Sequence, residues 1–320
     1  MTASGDVLFK TQVFRAFVGV ISTEGGAVHA ISTFTSETPT WSPDGAMIGL
    51  TFGNWRRIVD DAHYPDITQD LGIILFDEKI STAEPARIFQ ASDSEDQGMS
   101  WSPNGKWIAF HSHQNRTDDI FLQRADGSEP VQQITKGGTE TGWPRWSPDG
   151  RWIAYRSYPG PNRATRSKLY VLGIDQDSGA VTQPATPIAI AEFTEDADAP
   201  NWTRDSAHLV FESHGDVPGR KALHVVERTG GRPQKIVDYT SDQVSSGISV
   251  SSDGKWVAYV AQAADGIYQI FRIRVSGGTP QQMSFDGTNK TQPAFSPDGK
   301  WLAFTIWQYD VQFWLMKPDR

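Results

Sequence analysis

Apolar residues in this chain gather in short dense runs rather than in long periodic stretches. Six runs of four residues stand out, from Met47 to Leu50, Trp107 to Phe110, Trp152 to Tyr155, His208 to Phe211, Trp256 to Tyr259 and Trp301 to Phe304. Each is too short for a helix, so they predict strands. None alternates apolar with polar, as a strand with one wet face would. Both faces must therefore be covered, as in a sheet packed between two other sheets. The third residue of the run is small in five copies (Gly49, Ala109, Ala154, Ala258 and Ala303), and Val210 is the exception. That pattern predicts close approach of a neighbouring sheet.

A turn precedes every run. The copies are Trp41-Ser-Pro-Asp-Gly45, Trp101-Ser-Pro-Asn-Gly105, Trp146-Ser-Pro-Asp-Gly150, Trp202-Thr-Arg-Asp-Ser206, Val250-Ser-Ser-Asp-Gly254 and Phe295-Ser-Pro-Asp-Gly299. Proline presets φ at the first corner, Asp or Asn bonds its own backbone, and Gly accepts positive φ, so the segment joins two strands. These Asp residues belong to turn geometry, not catalysis. The repeat unit of about 45 residues is shared by propellers and helical arrays, and the strand-joining turn selects the propeller.

Two further strands complete a unit, as in Ile120 to Arg124 with Val131 to Thr135, and in Gln269 to Val275 with Gln281 to Ser284. The predicted fold is all-β: a six-bladed β-propeller with four antiparallel strands per blade, residues 1–320 forming one domain. The sixth copy is read as three strands, the third being Val311 to Lys317. Residues 1–37 then complete the last blade and close the ring with an N-terminal strand. Within them, Phe14 to Ile21 and Ala27 to Ser32 offer one strand more than the blade needs.

The string Trp-Ser-Pro-Asp-Gly-Lys/Arg-Trp-Ile-Ala-Phe/Tyr resembles the PD40 repeat of TolB-like propellers, across residues 38 to 317. The resemblance implies a six-bladed propeller without the α/β domain that precedes the propeller in TolB. It also implies a periplasmic or extracellular setting. Apolar residues 17–21 are too few for a signal core or a spanning helix, so no signal peptide is seen and the cytoplasm stays open. Prolyl-oligopeptidase relatives carry a Gly-x-Ser-x-Gly elbow, which this sequence lacks, and some polysaccharide lyases share the repeat.

Composition narrows the partners. A net charge of −9 with no basic run argues against nucleic acid, and no segment suggests membrane insertion. With no cysteine, thiolate chemistry and Cys-ligated zinc are excluded. Twelve tryptophans and 29 glycines suit many short strands and tight turns.

If the turns above occupy one face of the disc, the other face carries the second-to-third loops and the inter-blade loops. Insertions from Gly53 to Asp70, Tyr158 to Ser167 and His214 to Arg220 all fall there, where function usually resides. At the emerging ends of the second strands stand Thr51, His111, Arg156, Glu212, Val260 and Thr305. The candidate ligand-binding residues are His63, His111, His113, Arg156, Tyr158, Glu212, His214 and Trp307. His111-x-His113 supplies no third or fourth donor, so no metal ligand set is assigned. Acidic residues of the inter-blade segments, among them Glu37, Asp96, Asp196 and Asp198, are read mainly as solvated loops, with Ca2+ or another divalent cation at the channel as the alternative. The function expected is non-catalytic binding of a protein, peptide or acidic oligosaccharide at the central channel. The alternative is a uronate-directed polysaccharide lyase, with Arg neutralising the carboxylate and His or Tyr removing the proton.

Overall fold

The computed structural model describes residues 7–32, 36–53, 69–77, 87–89, 96–114, 118–136, 139–159, 165–241 and 247–316. Among them are six four-stranded antiparallel sheets. Their first strands are Ser36–Trp41, Asp96–Trp101, Thr139–Trp146, Asp196–Trp202, Ser249–Val250 and Asn289–Phe295. Each contacts the first strand of the next sheet, and the sixth contacts the first, which closes a ring. The fourth strands lie outermost, and Val181–Pro187 is exposed along its whole length. This is a six-bladed β-propeller. No helix among the described residues is long and apolar enough to cross a membrane.

The second strands are sandwiched as their unbroken apolar runs require. Leu50, Ala109, Ala154, Val210, Ala258 and Ala303 are all completely buried. Six apolar clusters hold the ring, one between each pair of neighbouring blades. The small third residue is needed for that approach: a Cβ on Gly49 would stand 2.9 Å from Met99 Cε in the next blade.

The turns are side-chain locks. Ser42 donates to Asp44 at 2.6 Å, Ser102 to Asn104 at 2.8 Å, Ser147 to Asp149 at 2.5 Å, Thr203 to Asp205 at 2.5 Å, Ser251 to Asp253 at 2.6 Å and Ser296 to Asp298 at 2.6 Å. The same hydroxyl accepts the amide opening the second strand, as in Trp107 N to Ser102 Oγ at 2.9 Å. The repeated acid is thereby used up in the fold, including the copy whose Pro and Gly are replaced by Arg204 and Ser206.

Ring closure differs in one respect from the sequence expectation. The third strand expected from Val311 is not one: Trp301–Met316 is one continuous second strand, and Val7–Ser22 pairs with it antiparallel from Ser22↔Trp301 to Val7↔Met316. His29–Ala30 follows as the fourth strand. The C-terminal copy therefore contributes two strands and the N-terminal segment two. No strand is surplus, and 14–21 belongs to the third strand of blade 6. Single strands of 16 residues are about three times the usual length, which is why one looked like two.

Candidate functional site

The loop face owes its geometry to one backbone device repeated round the ring. Three residues before the first residue of each turn motif, the chain enters the left-handed region: Thr38 (φ 53°), Gly98 (67°), Trp143 (59°), Ala199 (45°), Gly247 (65°) and Gln292 (56°). In five blades the ladder to the second strand slips there, between Glu37 and Thr40, Gln97 and Ser100, Gly142 and Arg145, Asp198 and Asn201, and Thr291 and Ala294. These are β-bulges, which bend a strand and re-aim its side chains. Four are followed by proline (Pro39, Pro144, Pro200 and Pro293), tolerated because an innermost strand is an edge with a free side. Four bulges use a non-glycine residue, at a cost of about 1–3 kcal/mol each.

Just above the bulges sit the ends of the second strands, and the sequence-predicted residues divide into two groups. Those of blades 2 to 4 converge. His111 lies between blades 2 and 3, its ring centroid 5.9 Å from that of Trp143. A Cβ on Gly142 would stand 3.6 Å from both His111 Cε1 and Arg156 Nη2, so those two groups meet over that glycine. Arg156 places its guanidinium 5.3 Å above the Tyr158 ring and its Nε 3.5 Å from Asp198 Oδ1, an ion pair too long for a good hydrogen bond. His214 faces the same carboxylate at 4.0 Å and Asp196 at 3.9 Å. Glu212 sits beside Asp198 in the ladder and is fully engaged, accepting from Lys221 Nζ at 2.6 Å and from the Tyr239 hydroxyl.

The others stand apart. His113 lies past the end of its strand, exposed, with Nδ1 2.8 Å from Asp118, so it does not join His111. Trp307 donates Nε1 to Thr291 Oγ1 at 3.0 Å within blade 6. His63 lies outside the described residues. Among the described residues no group of three or more His, Asp or Glu side chains converges to hold a metal ion.

Sequence reasoning missed several members of the arc. Asp196 and Asp198 are not solvated loop residues: both lie in the inner strand of blade 4, 7% and 6% exposed. Glu37 and the fully buried Asp96 likewise belong to inner strands. Asp196 accepts the Ser167 amide at 2.6 Å and Arg166 Nη1 at 2.8 Å. Arg166 reaches on to Asp216, tying the blade 3 and blade 4 insertions together. Arg145, two residues after the Trp143 bulge, also went unnoticed; its signal was an arginine where the other copies carry Thr40, Ser100, Asn201, Ser249 and Ala294.

Burial dominates the electrostatics. Desolvation, then the charges of Arg156 and Arg145, push the His111 pKa down to about 3, so the ring is neutral at physiological pH. Arg145 is lowered to about 10 by desolvation. Asp198 is raised, chiefly by desolvation and further by Glu212, against the pull of Arg156. Asp196 goes the other way: desolvation opposes its charge, but the Ser167 and Arg166 hydrogen bonds outweigh it and hold it below the usual range. In blade 1, burial raises Glu37 from 4.5 to about 7 and leaves its Oε1 without a hydrogen-bond partner.

A closed six-bladed ring with a charged, partly desolvated arc over three blades defines the class of protein. The profile of the TolB beta propeller domain, PD40, matches residues 144–319, and the chain belongs to that family. In structure it is similar to a protein from Agrobacterium tumefaciens assigned as TolB, with a TM-score of 0.67 and 19% identity over 92% of this chain and 99% of that one. It is also similar to TolB from Acinetobacter baumannii, with a TM-score of 0.63 and 16% identity over 88% of this chain and 66% of that one. An uncharacterised protein of Agrobacterium fabrum is 26% identical over 102 residues, 32% of this chain, so the match spans about a third (33%) of that relative. At these identities the structural likenesses speak for the fold alone.

Proposed function

We propose that the propeller is a non-catalytic binding module that takes a peptide or protein segment on its loop face, at the axial ends of blades 2 to 4. The observation that carries this reading is the set of polar groups left short of partners there: Arg156 Nε and His111 Nδ1 are buried without a hydrogen bond, and the partly buried Arg145 has one, to its own neighbour. Buried polar atoms are ordinarily satisfied, and groups that fold without partners are suited to meet a ligand's.

Two features favour a peptide over a sugar. Sugar platforms need open aromatic faces, whereas Trp143 is 7% and Tyr158 8% exposed, and Trp307 is committed to Thr291. The lyase alternative is weakened by His111, because a base is most effective with a pKa near the working pH and this one lies at about 3. The family supports an extracytoplasmic setting, which fractionation of cells making the full-length native gene product tests directly. No cofactor is invoked; a shift of the melting temperature on adding Ca2+ would restore the cation reading.

Peptides selected by display against the immobilised protein test the proposal. Binding that falls in His214→Ala and Arg156→Ala but persists in the turn-face variant Arg151→Gln supports it. Selected peptides indifferent to both loop-face changes overturn it, as does release of ultraviolet-absorbing unsaturated product from polyuronates.

A further inference from the structure

Arg145 is the least satisfied charge among the described residues of the arc. Its side chain is partly buried, and its one hydrogen bond runs from Nη1 to the Pro144 carbonyl at 2.9 Å. No carboxylate pairs with it among the described residues. The guanidinium nonetheless lies close enough to His111, as does Arg156, to oppose protonation of that ring. Asp198, the carboxylate that faces Arg156, is already shared: Oδ1 accepts the Ala199 amide at 2.7 Å and faces Arg156 Nε at 3.5 Å, and His214 stands 4.0 Å from Oδ2. Arg156 thus shares its carboxylate while Arg145 pairs with none among the described residues, and the neutral His111 adds no charge but leaves Nδ1 without a hydrogen bond, 2.9 Å from where a Cβ on Gly98 would stand.

A guanidinium keeps its proton at physiological pH, so the partly buried Arg145, with no carboxylate partner among the described residues, is suited to a counter-anion from outside the fold. Its planar fork matches a carboxylate, which two N–H groups can hold side by side. The glycines favour access: Gly98 and Gly142 keep side chains out of the space around His111 and Arg156. We propose that Arg145, with Arg156, the other cation that acts on His111, forms a carboxylate subsite that receives an Asp or Glu side chain or the C-terminal carboxylate of the bound peptide. The inference rests on the peptide-binding reading above and specifies its chemistry.

Titration calorimetry at low salt tests it with N-acetyl-hexaglutamate, N-acetyl-hexaglutamine, hexagalacturonate and inorganic phosphate as probes. Hexaglutamate is expected to bind at least about tenfold more tightly than hexaglutamine, since charge-assisted bidentate bonds are worth that much or more. Arg145→Gln is expected to abolish that preference, Arg145→Lys to lose most of it, and Arg151→Gln to keep it. A preference unchanged in Arg145→Gln overturns the subsite. So does displacement by phosphate as effective as by hexaglutamate, which would mark a general anion site, or tighter binding of hexagalacturonate through the same arginine, which would assign it to sugars. Should Arg145→Gln not fold, the Arg145 side-chain resonance of 15N-arginine-labelled wild-type protein, assigned with Arg145→Lys, must move on adding hexaglutamate, and a static signal overturns the idea. Display-selected peptides that bind at the loop face without any acidic preference sink this inference alone, whereas failure of every peptide to depend on that face removes the parent reading.

Discussion

Glu37 makes the charge economy of the ring measurable. It lies in the inner strand of blade 1, paired with Thr51, and burial alone lifts its pKa from 4.5 to about 7. A tenfold change in proton affinity corresponds to about 1.4 kcal/mol, so keeping this carboxylate ionised in the native state costs about 3 kcal/mol at high pH. The folded pKa is raised. Stability linked to the group is therefore fully present below pH 4.5, falls as pH rises through about 7, and is absent above. Glu37→Gln keeps the shape and removes the charge. Urea denaturation of both proteins at pH 5 and pH 9 should show the variant gaining about 2–3 kcal/mol on wild type between the two conditions, whatever fixed cost the amide brings. The glutamate carboxyl resonance that vanishes in the variant should titrate near 7 in 13C spectra of the wild type. A difference between the two pH values below about 0.5 kcal/mol, or a Glu37 signal titrating near 4.5, would refute the argument that desolvation rules this position.

Three further outcomes follow from the packing. Lys221→Ala, which takes the paired cation from the buried Glu212 carboxylate, should lower stability by about 3–5 kcal/mol in urea melts, and Lys221→Met with Glu212→Leu should recover most of it. Gly49→Val, whose Cβ would press on Met99 Cε at 2.9 Å and Thr40 Cγ2 at 3.1 Å, should cost about 1–3 kcal/mol, read as a lowered denaturation midpoint with an unchanged slope. Ser147→Ala removes the donor to Asp149 and the acceptor for Trp152 N, and should cost about 1–3 kcal/mol by the same measurement.

What could be read from the sequence was whatever is dictated locally. The Ser-Pro-Asp-Gly turn encodes its own hydrogen bonds, so all six corners and the sandwiched strands after them were legible. The ends of the second strands were placed correctly because they are counted from those corners, and this brought His111, Arg156 and Glu212 to the arc. Non-local effects were missed. Asp196 and Asp198 look like solvated acids beside Glu192 and Glu195, and only the approach of blade 3 with Arg166, Ser167 and Arg156 buries them. Thr38, Trp143, Ala199 and Gln292 carry no glycine to announce a left-handed bulge. The proline after each of them did repeat in register and was the available signal. Trp301–Met316 was divided in two because nothing within it marks continuity; only its partner, Val7–Ser22, does.

The repeat itself separates what folding demands from what a site demands. Six copies place six residues in one backbone environment, so any residue type that suffices in one blade bounds what the architecture requires. At the end of the second strand Thr51, Val260 and Thr305 suffice, and two residues after the left-handed position Thr40, Ser100, Ser249 and Ala294 do. Charge at either position is thus unnecessary to the ring. Yet blades 2 to 4 put His111, Arg156, Glu212 and Arg145 there, under desolvation strong enough to hold His111 and Arg145 well below their ordinary pKa values. Cationic and imidazole groups desolvated at these two positions in adjacent blades are not explained by the fold. The binding proposed above would supply the missing term, because a ligand carboxylate would compensate the Arg145 charge that no carboxylate pairs with among the described residues.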